Sequence, residues 1–386
     1  MSGFSSSDMN VVFPLKLINW SLDGSDVEST TTPILLQDQN GPCPLVALVN
    51  TLVLQFDFRT SQVDAVNLSQ SQTHDEAVTN LKSKLFTHFH NSSSIGLGDI
   101  LGLVADLLLV YSEDNISHEI VDNILKQLPK LHTGLDVDPN LTNGNFAQDL
   151  ATTLFDIFDL KFKHGWIIGD AESGYADDES IEHTFSILRE LQTFDKVQDY
   201  LLLPDSDPAV AENQQHIRQW LDATCSQLTS EGLLKLDHDL PSPQFLIFFR
   251  NNHFNTLLKK SRNEFYLLVT DSSFQSKSGK LVWQSLNSVS GGGDIFFTGD
   301  FMPVLDIEQD IGQEEETLDS DLILSRQLQE EEDAAMARKM QEKYEKRKTR
   351  QSNKVVSTTE NKETKAPNKV AEEKKKKKFF SFLSRK

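Results

Sequence analysis

Cysteine is scarce in this chain: Cys43 and Cys225 are the only two among 386 residues. Two thiols so far apart build no disulfide framework, and they are too few for a structural zinc site. This usage points to a reducing compartment, the cytoplasm, with the nucleus as a second location. Long apolar runs are also missing. The longest, such as residues 101–110, are too short and too interrupted to span a bilayer. Residues 1–10 are polar and lack the basic and apolar regions of a secretory signal, so none is expected. Basic side chains are few over most of the length: residues 1–333 hold 19 Lys and Arg against 52 Asp and Glu. Such an acidic body is a poor nucleic-acid binder and suits a partner with a basic face. The Gly-rich stretch 288–294 lacks the Gly-Lys-Ser/Thr ending of a phosphate-binding loop and reads as a loop or hairpin turn. His88 and His90 have no acidic or cysteine partner at ligand spacing, so neither metal nor cofactor is expected.

What is present is a long alternation of apolar helical runs with β-branched and aromatic runs. Residues 1–12 read as a disordered lead and residues 13–305 as one α/β (α+β) domain. Helices are expected at 44–56, 75–89, 95–111, 116–128, 146–158, 195–203 and 209–228. Strands are expected at 12–19, 245–249, 255–260, 265–270 and 294–297. An acidic linker fills 306–318, a helix rich in Glu, Gln, Lys, Arg, Ala and Met spans 319–350, and a disordered basic tail runs 351–386.

Within the domain, Cys43 stands between Pro42 and Pro44, directly ahead of the apolar run that starts at Leu45. Prolines suit a chain entering a helix, because first-turn N–H groups have no internal partner. A cysteine there meets orphan N–H groups and the positive end of the helix dipole, which favour the nucleophilic thiolate. Gln37, six residues upstream, is near enough to aim an amide N–H at a developing oxyanion. A thiolate needs an imidazole to hold the ion pair and protonate the leaving group. His253 follows the strand-like run 245–249 and is the first candidate; His164 is the second. Asp271, Asn255 and Thr256 are candidates to orient His253. Cys225 reads as structural.

The segments 33–45 and 248–254, with 134–137, 164–166 and 268–271 in the same order, resemble the MINDY family of cysteine deubiquitinases. The resemblance covers roughly residues 13–305. It implies a fold distantly akin to papain-like proteases and cleavage of isopeptide bonds between ubiquitins, with a preference for lysine-48-linked chains. It implies Cys43 as nucleophile, His253 as general acid/base and Gln37 as oxyanion donor. Val137, Trp166 and Phe249 are expected as exposed apolar contacts for ubiquitin. A catalytically inactive polyubiquitin-binding protein of the same fold is the alternative, and a different cysteine hydrolase a third reading.

The helix at 319–350 contains a duplication: residues 321–330 and 333–342 align at an offset of 12. Leu324 and Leu328 in one copy, Met336 and Met340 in the other, form i,i+4 apolar stripes, with Ser325 and Ala337 as flat spots between. An offset of 12 turns the second stripe by about 120° and advances it about 18 Å, which suits two small partners. The pattern resembles the ubiquitin-interacting helices called MIU or UIM motifs. The end of the chain joins Lys374 through Lys378 to Phe379, Phe380, Phe382 and Leu383, which could touch an anionic membrane weakly, serve as a nuclear-localisation stretch, or stay solvated. A monomer is expected.

Overall fold

The computed structural model describes residues 11–23, 29–37, 44–62, 72–112, 116–169, 179–204, 207–274, 280–289, 291 and 294–304. The chain divides into residues 1–313 and 314–386. The second unit, and with it the duplicated helix and the basic tail, lies outside the described residues.

The domain is built around a helix that is apolar on every side. In α1 (Pro44–Gln62), Leu45, Val46, Ala47, Leu48, Val49, Leu52, Val53 and Leu54 are all buried. A helix with no polar stripe in its first turns must be enclosed. Here a six-stranded sheet covers one side, and β2 (Thr30–Leu35) and α2 (Gln72–Ser92) cover others. α1 outlasts its expected end because its last turns bury Asp57 instead of an apolar residue. Lys82 and the Thr32 hydroxyl satisfy that carboxylate, whose acidity burial weakens.

A small antiparallel sheet has the order β2–β1–β3, with β1 at Val12–Trp20 and β3 at Ser94–Gly96. Ile95, expected in a helix, sits in β3. α3 (Leu97–Ser112) begins just after it.

The larger sheet has the order β4–β5–β6–β7–β8–β9: Phe162–His164, Gln244–Arg250, His253–Ser261, Glu264–Leu268, Trp283–Ser285 and Phe296–Phe297. Only β4–β5 is parallel. β5 reads as an unbroken apolar run because both its faces are covered. Ile247 and Phe249 pack with α1, while Leu246 and Phe248 pack with Leu236 of α9 (Ser230–Asp239) and with Leu240 just beyond it.

Between α3 and α9 run α4 (His118–Gln127), a 3-10 turn (Leu128–His132), α5 (Leu150–Ile157), α6 (Glu179–Leu191), α7 (Phe194–Leu201) and α8 (Pro208–Ala223). α5 starts later than expected. Asp149 and Thr152 form a reciprocal cap there, and Phe146 bridges Pro139 instead of entering the helix. α6, α7 and α8 close over their own apolar cluster, which includes Trp166, Leu188, Val197 and Ile217.

Candidate active site

The β5–β6 hairpin carries the first of the expected catalytic residues. Arg250 pairs with His253 across a two-residue turn, Asn251-Asn252, whose φ angles are 50° and 59°. Two successive positive φ values are those of the type I′ turn that joins tightly twisted strands, and asparagine tolerates them better than most residues. His253 is thus the first residue of β6, half-buried at the end of the sheet. Arg250 fastens this end: its Nε donates to Ser226 O at 2.9 Å and its Nη2 to Val289 O at 2.8 Å. Phenylalanines brace the hairpin from beneath. Phe249 and Phe254 lie 5.0 Å apart edge to face, Phe254 stacks on Phe162 at 5.7 Å, and Phe162 stacks on Phe146 at 3.9 Å. Such ring pairs add specific geometry to apolar burial.

Cys43 itself lies outside the described residues, and Pro44, to which it is bonded, opens α1. The first turn of α1 has no acidic side chain, so nothing within it offsets the positive end of the dipole. The start of α1 is tied to β6 three residues beyond His253. The Thr256 and Thr51 hydroxyls, both buried, are 2.9 Å apart, and Thr256 Oγ1 also reaches Ala47 O at 3.4 Å.

Gln37 is anchored through its backbone. Its N–H donates to Thr270 O at 2.7 Å, and its carbonyl accepts from Ser272 N at 2.9 Å, forming a parallel bridge with Asp271. The β6–β7 ladder ends at Leu257↔Leu267, four residues before Asp271. α1 is thus tied on one side to β6, through Thr51 and Ala47 to Thr256, and on another to the segment that leads into Gln37, through Asn50 to Leu35.

Of the three candidates to orient His253, Thr256 is committed to α1 and alternates to the opposite face of β6. Asn255 shares the face of His253, with its Nδ2 3.4 Å from His253 O. Asp271 is exposed and accepts from Ser273 N at 2.8 Å.

Several expectations are corrected. His164 is no alternative base. It is enclosed, its Nδ1 accepts from Trp166 N at 3.1 Å, and its Nε2 therefore donates to Asn145 O at 2.9 Å. Burial lowers its pKa to about 4. Trp166 and Phe249, expected as exposed aromatics, are only 4% and 7% exposed. Trp166 stacks on Trp220 and donates its indole N–H to Thr224 Oγ1. Phe249 belongs to the core around α1, and Val137 is half-buried against the same core. Cys225, expected as structural, is exposed. Leu324, Ser325, Leu328, Met336, Ala337 and Met340 lie outside the described residues.

The supports of the site were missed: Arg250, Thr51 and Asn50, whose carboxamide bonds the Leu35 backbone. Asn50-Thr51 carried a readable signal, two adjacent polar residues inside an otherwise apolar helix.

The profile of the MINDY deubiquitinase family matches residues 11–301. This chain belongs to that family. Membership makes it a cysteine-type deubiquitinase and agrees with the resemblance seen in segments 33–45 and 248–254. It is 31% identical to the ubiquitin carboxyl-terminal hydrolase MIY1 of Saccharomyces cerevisiae over 345 residues, covering 86% of this chain and 87% of that protein. It is 32% identical to mouse ubiquitin carboxyl-terminal hydrolase MINDY-1 over 262 residues, covering 67% of this chain and 49% of that one. Against mouse MINDY-2 the identity is 27% over 361 residues, covering 87% and 52%. The chain thus spans nearly all of the yeast relative and about half of each mouse one.

Proposed function

We propose that this protein dismantles polyubiquitin by thiol acyl transfer, acting chiefly on lysine-48-linked chains, with Cys43 as nucleophile, His253 as acid/base and Gln37 as oxyanion donor. The observation that supports the reading is that α1, which Cys43 precedes, is tied both to β6, which His253 begins, and to the strand that leads into Gln37. The Cys43 thiolate attacks the carbonyl of the ubiquitin C-terminal glycine. The Gln37 amide donates to the oxyanion, and His253 as imidazolium gives its proton to the departing lysine amine. Neutral His253 then takes a proton from water, which opens the thioester and releases the thiolate. The acidic body suits the arginine in the Leu-Arg-Gly-Gly tail of ubiquitin. The duplicated helix at 319–350 adds weak ubiquitin contacts whose benefit grows with chain length.

Linkage-defined ubiquitin chains incubated with the full-length protein test this. Lysine-48-linked chains should be cut first, and Cys43→Ala should abolish cutting without loss of fold. Chain capture without cutting by the unaltered protein would favour an inactive receptor. No interaction with any chain would point to another thiol hydrolase.

A further inference from the structure

Among the described side chains of α1, Asn50 is the one fully enclosed carboxamide. It is 0% exposed and lies about 9 Å along the axis from the helix start. Its Oδ1 accepts from Leu35 N at 2.8 Å, and its Nδ2 donates to Leu35 O at 2.9 Å. A side-chain amide bonded to both backbone groups of one residue acts as a strand partner. The reason lies in the alternation of β2. Leu36 N turns the other way and donates to Pro14 O in β1 at 2.8 Å. Leu35 and Gln37, two residues apart, therefore present N–H and C=O to the side away from β1. On that side Asn50 fills the first position, and the Thr270 carbonyl and Ser272 N–H fill the next, at Gln37. Residues 35 and 37 are thereby registered against α1 and against the extension of β7 in one ladder.

We infer that Asn50 is a positioning residue for the oxyanion donor: it sets the Gln37 segment against the helix that Cys43 precedes. The inference rests on the reading of Gln37 and Cys43 given above. An apolar residue of similar size would leave the Leu35 N–H and C=O buried without partners. The strand would shift or water would enter, and Gln37 would move relative to the start of α1. A misplacement of about 1 Å at a catalytic group costs on the order of 100-fold in rate.

A double-mutant cycle on the full-length chain tests this, with lysine-48-linked tetraubiquitin as substrate. Gln37→Ala should lower kcat about 100- to 1000-fold. Asn50→Ala should lower it about 10- to 100-fold with KM within about two-fold. The double variant should be no slower than Gln37→Ala alone, because Asn50 acts through Gln37. Alkylation of Cys43 by iodoacetamide in a Cys225→Ser background needs the thiolate and no oxyanion donor, so Asn50→Ala should leave its rate unchanged. If Asn50→Ala does not fold, Asn50→Asp, which keeps the acceptor for Leu35 N and loses the donor to Leu35 O, carries the same cycle. Multiplied losses in the double variant, wild-type kcat in the Asn50 variants, or alkylation falling in step with turnover would overturn the inference. An inert wild-type chain, or full activity in Gln37→Ala, would overturn the functional reading, and this inference with it.

Discussion

Two regions of the domain are held by different means. Around α1 and the two sheets, buried polar side chains cross from one element to another. Asn50 reaches Leu35, Thr51 meets Thr256, Lys16 Nζ donates to Leu281 O at 2.6 Å, and Lys259 Nζ to Leu240 O at 2.8 Å. In the α6–α8 cluster a buried polar side chain of α8, Gln214, reaches across to the end of α7. Gln214 Nε2 donates to Tyr200 O at 3.1 Å and Leu203 O at 3.0 Å, and packing is left to apolar faces and the Trp166–Trp220 stack. Polar ties specify where one backbone lies against another, whereas apolar faces tolerate small shifts. Gln37 and His253, the expected catalytic residues among the described ones, both lie in the first region, where positions must be exact to fractions of an ångström.

The sharpest way to break this contrast is at the seam between the regions. Gly232 in α9 passes so close to Gly165 that an added Cβ would sit 1.7 Å from the Gly165 carbonyl oxygen. Gly232→Ala should cost about 4 kcal/mol or more in denaturant unfolding, with both regions loosened together. Next come two core truncations. Phe254→Ala beneath the hairpin and Ile217→Ala in the helical cluster should each cost about 3–4 kcal/mol. Only the first should also lower kcat for chain cleavage. Equal effects on turnover would remove the distinction drawn here.

A pH effect of similar size comes from His164. Its pKa is about 4 in the fold against an ordinary 6.5, so between these values the unfolded chain binds the extra proton. Stability should therefore be full above about pH 6.5 and fall by roughly 3 kcal/mol as pH drops to about 4. His164→Gln should flatten that part of the stability profile. The smallest effect is at Arg250. Lysine lacks the fork needed to reach both Ser226 O and Val289 O, so Arg250→Lys should lower kcat about 10-fold, or about 1.4 kcal/mol, with KM little changed.

Long periodic segments were legible in the sequence. α1, α2 and the β5–β6–β7 meander fall where their apolar patterns place them, and the Pro-flanked cysteine marked the helix start. Elements with contrary local signals were not legible. β2 contains Pro33, which argues against a strand. It is tolerated because β2 lies at the edge of the small sheet. α9 was hidden by Gly232, a poor helix former that the close approach to Gly165 requires. β4 and β8 are three residues each, too short for any period to show. At the candidate site, chemistry and resemblance single out Gln37 and His253 as candidates. Asn50 and Arg250 act by bonds to distant backbone that no local pattern encodes.

The six-stranded sheet ends in strands of three residues at β4 and two at β9. Its phenylalanine-rich strand, Gln244–Arg250, lies one place in from the β4 margin. An unrelated extended polypeptide meeting either end of this sheet finds a ladder of only two or three residues to join. The hazard of amyloid-like pairing by this phenylalanine-rich segment is thus confined to nascent or denatured chains, before the sheet has closed.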